Sequence, residues 1–183
     1  PEQLKTINDD LIAKYKKSKS LEDLNTVVIS VLMSGVYLPP RRLEYASVMT
    51  RDFEKKTDNY IVKNKIYLNN YKTASKYGLQ IIELPKGIMP YINKAVKTNE
   101  SGFLLETKSG KEYSSSTLSK ALTKLFGMGA DLLRSSYINH ILYEDNLLQK
   151  LEDGAEAMGS SVNAQKMFYV KNNLEKDIGM DKY

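Results

Sequence analysis

Apolar side chains recur every three or four positions at the start of the chain. Leu4, Ile7, Leu11, Ile12 and Tyr15 alternate with charge there, and the spacing predicts an amphipathic helix over residues 1–17. A basic polar linker runs from Lys16 to Ser20. Ser20-Leu21-Glu22-Asp23 places a capping hydroxyl ahead of two acids, so a second helix is expected to start there. The apolar run that follows to Tyr37 makes this helix a largely buried one, and Pro39-Pro40 stops it. A short helix is expected to restart at about Arg41, because proline is tolerated at helix starts and Leu43, Ala46, Ser47 and Val48 recur at helical spacing.

From Asn59 to Pro85 the period changes to β-rich runs: Asn59–Val62, Lys65–Leu68 and Leu79–Leu84. Lys63-Asn64 makes the first connection tight, whereas the second, Tyr71 to Gly78, is long, polar and carries Lys72 and Lys76. A three-stranded antiparallel meander is expected. Helices return at about 86–97, 115–126, 131–143, 145–157 and 162–171, with Gly127-Met128-Gly129 as a break and Gly154 and Gly159 as later interruptions. The class is therefore α+β, mainly α-helical with one small sheet, and the 183 residues suit a single domain. Residues 1–19 form its first helix and linker, and 172–183 a tail.

Composition narrows the chemistry. With 42% hydrophobic and 27% charged residues, the chain can build a core, which excludes disordered and fibrous classes. The absence of cysteine removes disulfides, thiolate nucleophiles and Cys-ligated zinc, and one histidine is too few for a His metal cluster or a Ser-His-Asp triad. The longest apolar run, Thr26 to Met33, falls well short of the ~20 residues of a membrane span, and no signal-peptide pattern opens the chain. The first residue is Pro1 rather than Met, as expected of a fragment. The net charge is +5, and of 27 cationic residues only four are arginines: Arg41, Arg42, Arg51 and Arg134. An A/T-rich coding sequence accounts for the ratio but not for the positions of the four. Arginine's rigid fork can hold one phosphate bidentately, which lysine cannot do.

Arg41-Arg42-Leu43-Glu44 is expected to open a helix, with a guanidinium at the positive end of the dipole and Glu44 one turn on to orient it, a suitable place for a phosphate. Taken alone, the same residues read as a surface ion pair. Arg134 sits among apolar neighbours in Asp131-Leu132-Leu133-Arg134-Ser135-Ser136-Tyr137, where burying it unpaired would cost several kcal/mol. Lys72 alone reads as an exposed turn lysine. Tyr169, after the polar turn at Gly159-Ser160-Ser161, is one tyrosine of thirteen, so only its place in an ordered set gives it meaning.

That ordered set resembles the catalytic domain of the tyrosine recombinases, the integrase family of phages, viruses and other mobile elements, over nearly the whole chain. The family's first arginine follows an apolar helix with an acid three residues on, matched by Arg41 and Glu44. Its hairpin lysine, often followed by Thr, is matched by Lys72-Thr73, and its second arginine, usually after Leu, by Leu133-Arg134. A Gly followed by His or Trp, nine positions before the nucleophilic tyrosine, is matched in spacing by Gly159, Ser160 and Tyr169. Two positions depart from the pattern: Asp131 stands where the family has a His, and Ser160 where it has a His or Trp. His140 fits neither place and is expected to be structural. Asp131 can hydrogen-bond Arg134 or act as a base and Ser160 can hydrogen-bond a phosphate oxygen, but both supply protons less well than imidazole, which implies slower cleavage or a rearranged site.

The resemblance implies the DNA breaking-rejoining fold and a reaction through a 3′-phosphotyrosine, with no metal, ATP or other cofactor. Tyr169 is then the nucleophile, Arg41 and Arg134 the phosphate clamp, and Lys72 the acid for the leaving 5′ oxygen. It also implies double-stranded DNA as partner, a homotetramer on two sites with tail exchange between protomers, an intracellular location wherever the target DNA lies, and a separate N-terminal DNA-binding domain that this chain lacks. Two further readings stand beside it: a type IB-like topoisomerase using the same residues, and a DNA-binding module of recombinase ancestry that no longer cleaves.

Overall fold

The hydroxyl of Ser20 caps the second helix as its sequence position predicts, accepting the Asp23 backbone N–H at 3.1 Å. This computed structural model describes residues 2–140. Helix α1 (Glu2–Ser18) packs on α2 (Leu21–Met33), whose Val27, Val28, Val31, Leu32 and Met33 are wholly buried. Each such side chain contributes about 1.5–3 kcal/mol relative to exposure. Polar groups trapped in this interface are paired: Ser30 Oγ donates to Asn8 Oδ1 at 2.7 Å, and Asn8 Nδ2 donates to the Leu4 carbonyl at 2.8 Å.

Helix α2 ends at Met33, four residues before the expected Tyr37, because Gly35 takes a positive φ of 82° that terminates the helix. A second correction follows. No helix opens at Arg41; Arg42 and Leu43 bend, and only a four-residue 3-10 turn, Glu44–Ser47, forms before the chain enters strand β1 (Val48–Met49). Leu43 at φ −109° and ψ 15° lies off helical geometry, and β-branched Val48 suits the extended backbone it adopts.

The sheet has four strands in the order β1-β2-β3-β4, not three, and is mixed. Strands β2 (Asn59–Val62), β3 (Lys65–Leu68) and β4 (Gln80–Glu83) form the antiparallel meander read from the alternation, while β1 pairs parallel to β2 with Val48 opposite Asn59. Two backbone bonds cover the other edge of β1, Thr50 N–H to Gly102 C=O and Leu104 N–H to Val48 C=O, both 2.8 Å. Ile61, Ile66 and Ile82 align across the inward face, and Tyr60, Tyr67 and Ile81 across the other.

The β3–β4 connection contains a one-turn helix, α3 (Ala74–Tyr77), closed by Gly78 at φ 65°. Helix α4 (Met89–Thr98) is preceded by a separate 3-10 turn, Lys86–Ile88, with a proline in its own first turn. Helix α5 (Ser115–Phe126) has the predicted bounds, capped by Ser114 and ended by Gly127 in the left-handed region. Helix α6 spans Ala130–Asn139. The expected helices at 145–157 and 162–171 lie outside the described residues. Among the described residues, those up to Arg134 make up one compact unit, and residues 135–140 fall outside it. Among the described residues, no helix is long and apolar enough to cross a membrane.

Candidate active site

The segment carrying Arg41 is pinned on both sides by burial: Leu38 and Pro40 before it, Tyr45 and Ala46 after it. The Arg41 guanidinium carbon lies 5.3 Å from the centroid of the Tyr71 ring, within cation–π range. Arg41 Nε, Glu44 Oε2 and Tyr45 Oη are all buried and have no hydrogen-bond partner among the described residues. Leaving a buried polar atom unpaired costs about 1–3 kcal/mol, so three within five residues is a local concentration of unmet hydrogen-bonding capacity. Burial pushes the Tyr45 phenol far above its ordinary range; the Arg41 charge opposes the rise and the Glu44 charge adds to it. Tyr45 is thus a neutral, fully enclosed group. The helix dipole expected beside Arg41 is not there, because the turn that follows is 3-10 and four residues long.

Lys72 reaches the same region from the β3–β4 connection. It is exposed, and it lines a cleft of about 490 Å³ together with Arg42, Glu44, Tyr113, Ser114 and Ser115. Lys76 stays with α3, its Nζ 5.1 Å from the Tyr77 ring centroid, and is not among the cleft residues, so Lys72 is the hairpin lysine that faces the cleft. Also lining the cleft, Ser114 caps α5 by accepting the Thr117 N–H at 3.1 Å. Burial, with a contribution from the Glu22 charge, raises the pKa of Tyr113 and keeps its phenol protonated. An ammonium, a guanidinium, serine hydroxyls and the first turn of a twelve-residue helix on one cleft suit an oxyanion, and Glu44 and Glu112 on the same walls balance the cations.

The structure therefore brings Glu44 and Lys72 into one cleft, whereas Arg41 packs against Tyr71 and is not a cleft-lining residue; the arginine that lines the cleft is Arg42. Asp131 and Arg134 meet each other on α6, Nη1 to Oδ1 at 3.3 Å, and are not cleft-lining residues. The Arg134 side chain is 20% exposed and that of Asp131 90%. Of the neighbours expected to face the core, Leu133 is buried but Leu132 is 62% exposed, because adjacent helical positions point about 100° apart. Ser160 and Tyr169 lie outside the described residues. Arg42, Tyr113, Ser114 and Ser115 are not among the sequence candidates. Only the Ser-Ser-Ser-Thr run opening α5 is a visible signal, and it reads as a helix start.

Compared with family models, characterised proteins and solved structures, the chain matches none.

Proposed function

We propose that this chain is the catalytic part of a site-specific DNA recombinase that cuts and rejoins strands through a tyrosine, built on the tyrosine recombinase fold. One observation carries the reading: Glu44, from the segment after α2, and Lys72, from the β3–β4 connection, distant in sequence, line a single cleft suited to an oxyanion, and Arg41, which does not line it, packs on the ring of Tyr71, the neighbour of Lys72. Those are the positions at which the resemblance puts a phosphate-binding arginine, its orienting acid and the general acid.

In the reaction, Tyr169 Oη attacks the scissile phosphorus, its proton passing to water or to the Asp131 carboxylate. The guanidinium forks of Arg41 and Arg134 stabilise charge growing on the non-bridging oxygens, with Asp131 orienting Arg134 and Ser160 adding a hydrogen bond, while Glu44, which makes no ion pair with Arg41 among the described residues, would have to turn toward it to orient it. The P–O5′ bond breaks as Lys72 protonates the departing oxygen. The 3′-phosphotyrosyl bond conserves the energy of the broken linkage, so a 5′-hydroxyl can reseal it without ATP. Double-stranded DNA is the substrate, and a tetramer on two sites is the assembly. The net charge of +5 favours backbone contact and predicts binding that weakens steeply with salt.

The test uses the intact protein and a randomised pool of duplexes, each nicked so that cleavage releases a short strand, in buffer with chelator. The expected result is protein–DNA adduct that survives SDS. Relaxation of supercoils without strand exchange would move the assignment to a topoisomerase, binding without adduct to a non-cleaving DNA-binding module, and neither binding nor adduct would refute the reading.

A further inference from the structure

The geometry points to Tyr71 as a positioning residue that ties the placement of Lys72 to that of Arg41, an inference that rests on the recombinase reading for its catalytic consequence but not for its structural one. Tyr71 immediately precedes Lys72 and is 8% exposed. Its two ends do different things. The ring packs 5.3 Å from the Arg41 guanidinium carbon, and the hydroxyl donates to the Gly78 carbonyl at 2.6 Å. Gly78 is the residue at which the loop carrying Lys72 returns to the sheet, at a φ of 65° that favours glycine. The Tyr71 hydroxyl thus closes a ring of chain from residue 71 to residue 78. Inside it, the Lys76 and Tyr77 amides bond to the Thr73 carbonyl and the Gly78 amide to the Ala74 carbonyl.

The β3–β4 ladder brackets the loop, with Leu68 opposite Gln80, and the Ala74 amide bonds to the Tyr71 carbonyl at 3.0 Å, but within the loop the Tyr71 hydroxyl is the side-chain bond that ties residue 71 to residue 78, and the four-residue turn between them is marginal by itself. Lys72 is exposed, and among the described residues no hydrogen bond or ion pair of its own fixes its position, so its ammonium is aimed by the backbone that carries it. The ring also serves as the surface on which Arg41 rests. One buried side chain therefore sets the relative position of both cationic groups, one through its hydroxyl and the other through its face.

The two ends can be separated by substitution. Tyr71→Phe keeps the face and removes the hydroxyl; Tyr71→Leu removes both. Cleavage is measured on a suicide duplex and on the same duplex with a 5′-bridging sulfur, where the P–S bond breaks and the thiolate departs without needing a proton. Tyr71→Phe is expected to slow cleavage of the oxygen substrate about 10-fold, less than the roughly 100-fold or more that outright loss of a general acid costs, because Lys72 is displaced and not removed. It should cleave the sulfur substrate at the wild-type rate, as Lys72→Ala should. Tyr71→Leu should stay slow on both substrates, because the Arg41 support is gone. A Tyr71→Phe rate equal to wild type on the oxygen substrate, or a deficit that sulfur does not restore, would overturn the positioning role.

Hydrogen exchange supplies a readout independent of DNA chemistry. The amides of Lys76, Tyr77 and Gly78 should exchange at least several-fold faster in folded Tyr71→Phe than in wild type. Unchanged exchange there overturns the tether even if the protein cleaves nothing. Absence of adduct from wild type, with exchange accelerated in Tyr71→Phe, would instead sink the recombinase reading and leave the tether standing.

Discussion

Replacing Asn99 by Ala should be among the most damaging single changes outside the apolar core, and its cost can be worked from the bonds it makes. Asn99 is 2% exposed at the end of α4 and faces Asn25, 4% exposed, on α2. The two amides exchange a reciprocal pair of bonds at 3.0 Å, and Asn99 Nδ2 also donates to the Phe103 and Leu104 carbonyls at 3.2 and 3.0 Å. Asn25 Oδ1 in turn accepts the Glu106 N–H at 3.1 Å, so the pair joins two helices to the segment that lies along β1 and brings Phe103 to the cleft wall. One amide has two N–H groups and one carbonyl to give, so three effective bonds are lost at about 1 kcal/mol each. Stranding the carbonyl of Leu104, itself 0% exposed, adds about 1–2 kcal/mol. The expected loss is therefore about 4–5 kcal/mol, or a fall of roughly 10 °C or more in thermal midpoint for a chain of this size. Urea unfolding of wild type, Asn25→Ala, Asn99→Ala and the double variant measures it. The cycle should return a coupling of about 2 kcal/mol, because the second substitution removes a partner already lost. A single-variant loss under about 1 kcal/mol, or strict additivity, would refute the reasoning.

Asp23 gives a pH signature: the hydrogen bond from Lys14 at 2.7 Å, then that from Ser18 at 2.5 Å, holds its carboxyl below the usual range. Its folded pKa being the lower one, its stabilisation is present above the ordinary value of about 4 and is lost as pH falls through the folded value, so Asp23→Asn should be weaker than wild type near pH 7 and converge with it in acid. Divergence that grows on acidification would contradict this. Gly127→Ala should cost about 1 kcal/mol in thermal unfolding, since Gly127 sits at φ 70° and nothing lies within 4 Å of the place its new methyl would take, which leaves backbone strain as the sole penalty; a gain in stability would be the contrary result. Arg41→Lys should keep the fold by circular dichroism yet lower adduct formation about 100-fold, because an ammonium lacks the fork; an unchanged rate removes Arg41 from the site.

How much is legible in the sequence depends on how local each signal is. The bounds of α5 can be read because Ser114 and Gly127 are chemical punctuation, and β2 and β3 because Lys63-Asn64 leaves room for little but a tight turn. Strand β1 cannot be read: two residues make no period, and Val48-Met49 is extended because Asn59-Tyr60 and the Gly102–Leu104 backbone lie beside it. Val48 also closes an apparent helical pattern starting at Leu43, which is why the periodicity points to a restart at Arg41 that does not occur. Of the ordered set, Glu44 and Lys72 mark part of the cleft, and Arg41 does not line it. Tyr71 is hidden because its role exists only in three dimensions, where one end meets Arg41 and the other meets Gly78. Tyr113 and Ser114 arrive from a different stretch of chain that carries no motif.

The most direct measurement is the identity of the residue that becomes attached to DNA. Trapped adduct from the intact protein would be digested with nuclease and trypsin, and the nucleotide-bearing peptide sequenced by mass spectrometry. The account predicts attachment at the oxygen of Tyr169 and its disappearance in Tyr169→Phe. Attachment at another tyrosine, such as Tyr113 in the cleft, or persistence of adduct in Tyr169→Phe, would contradict it.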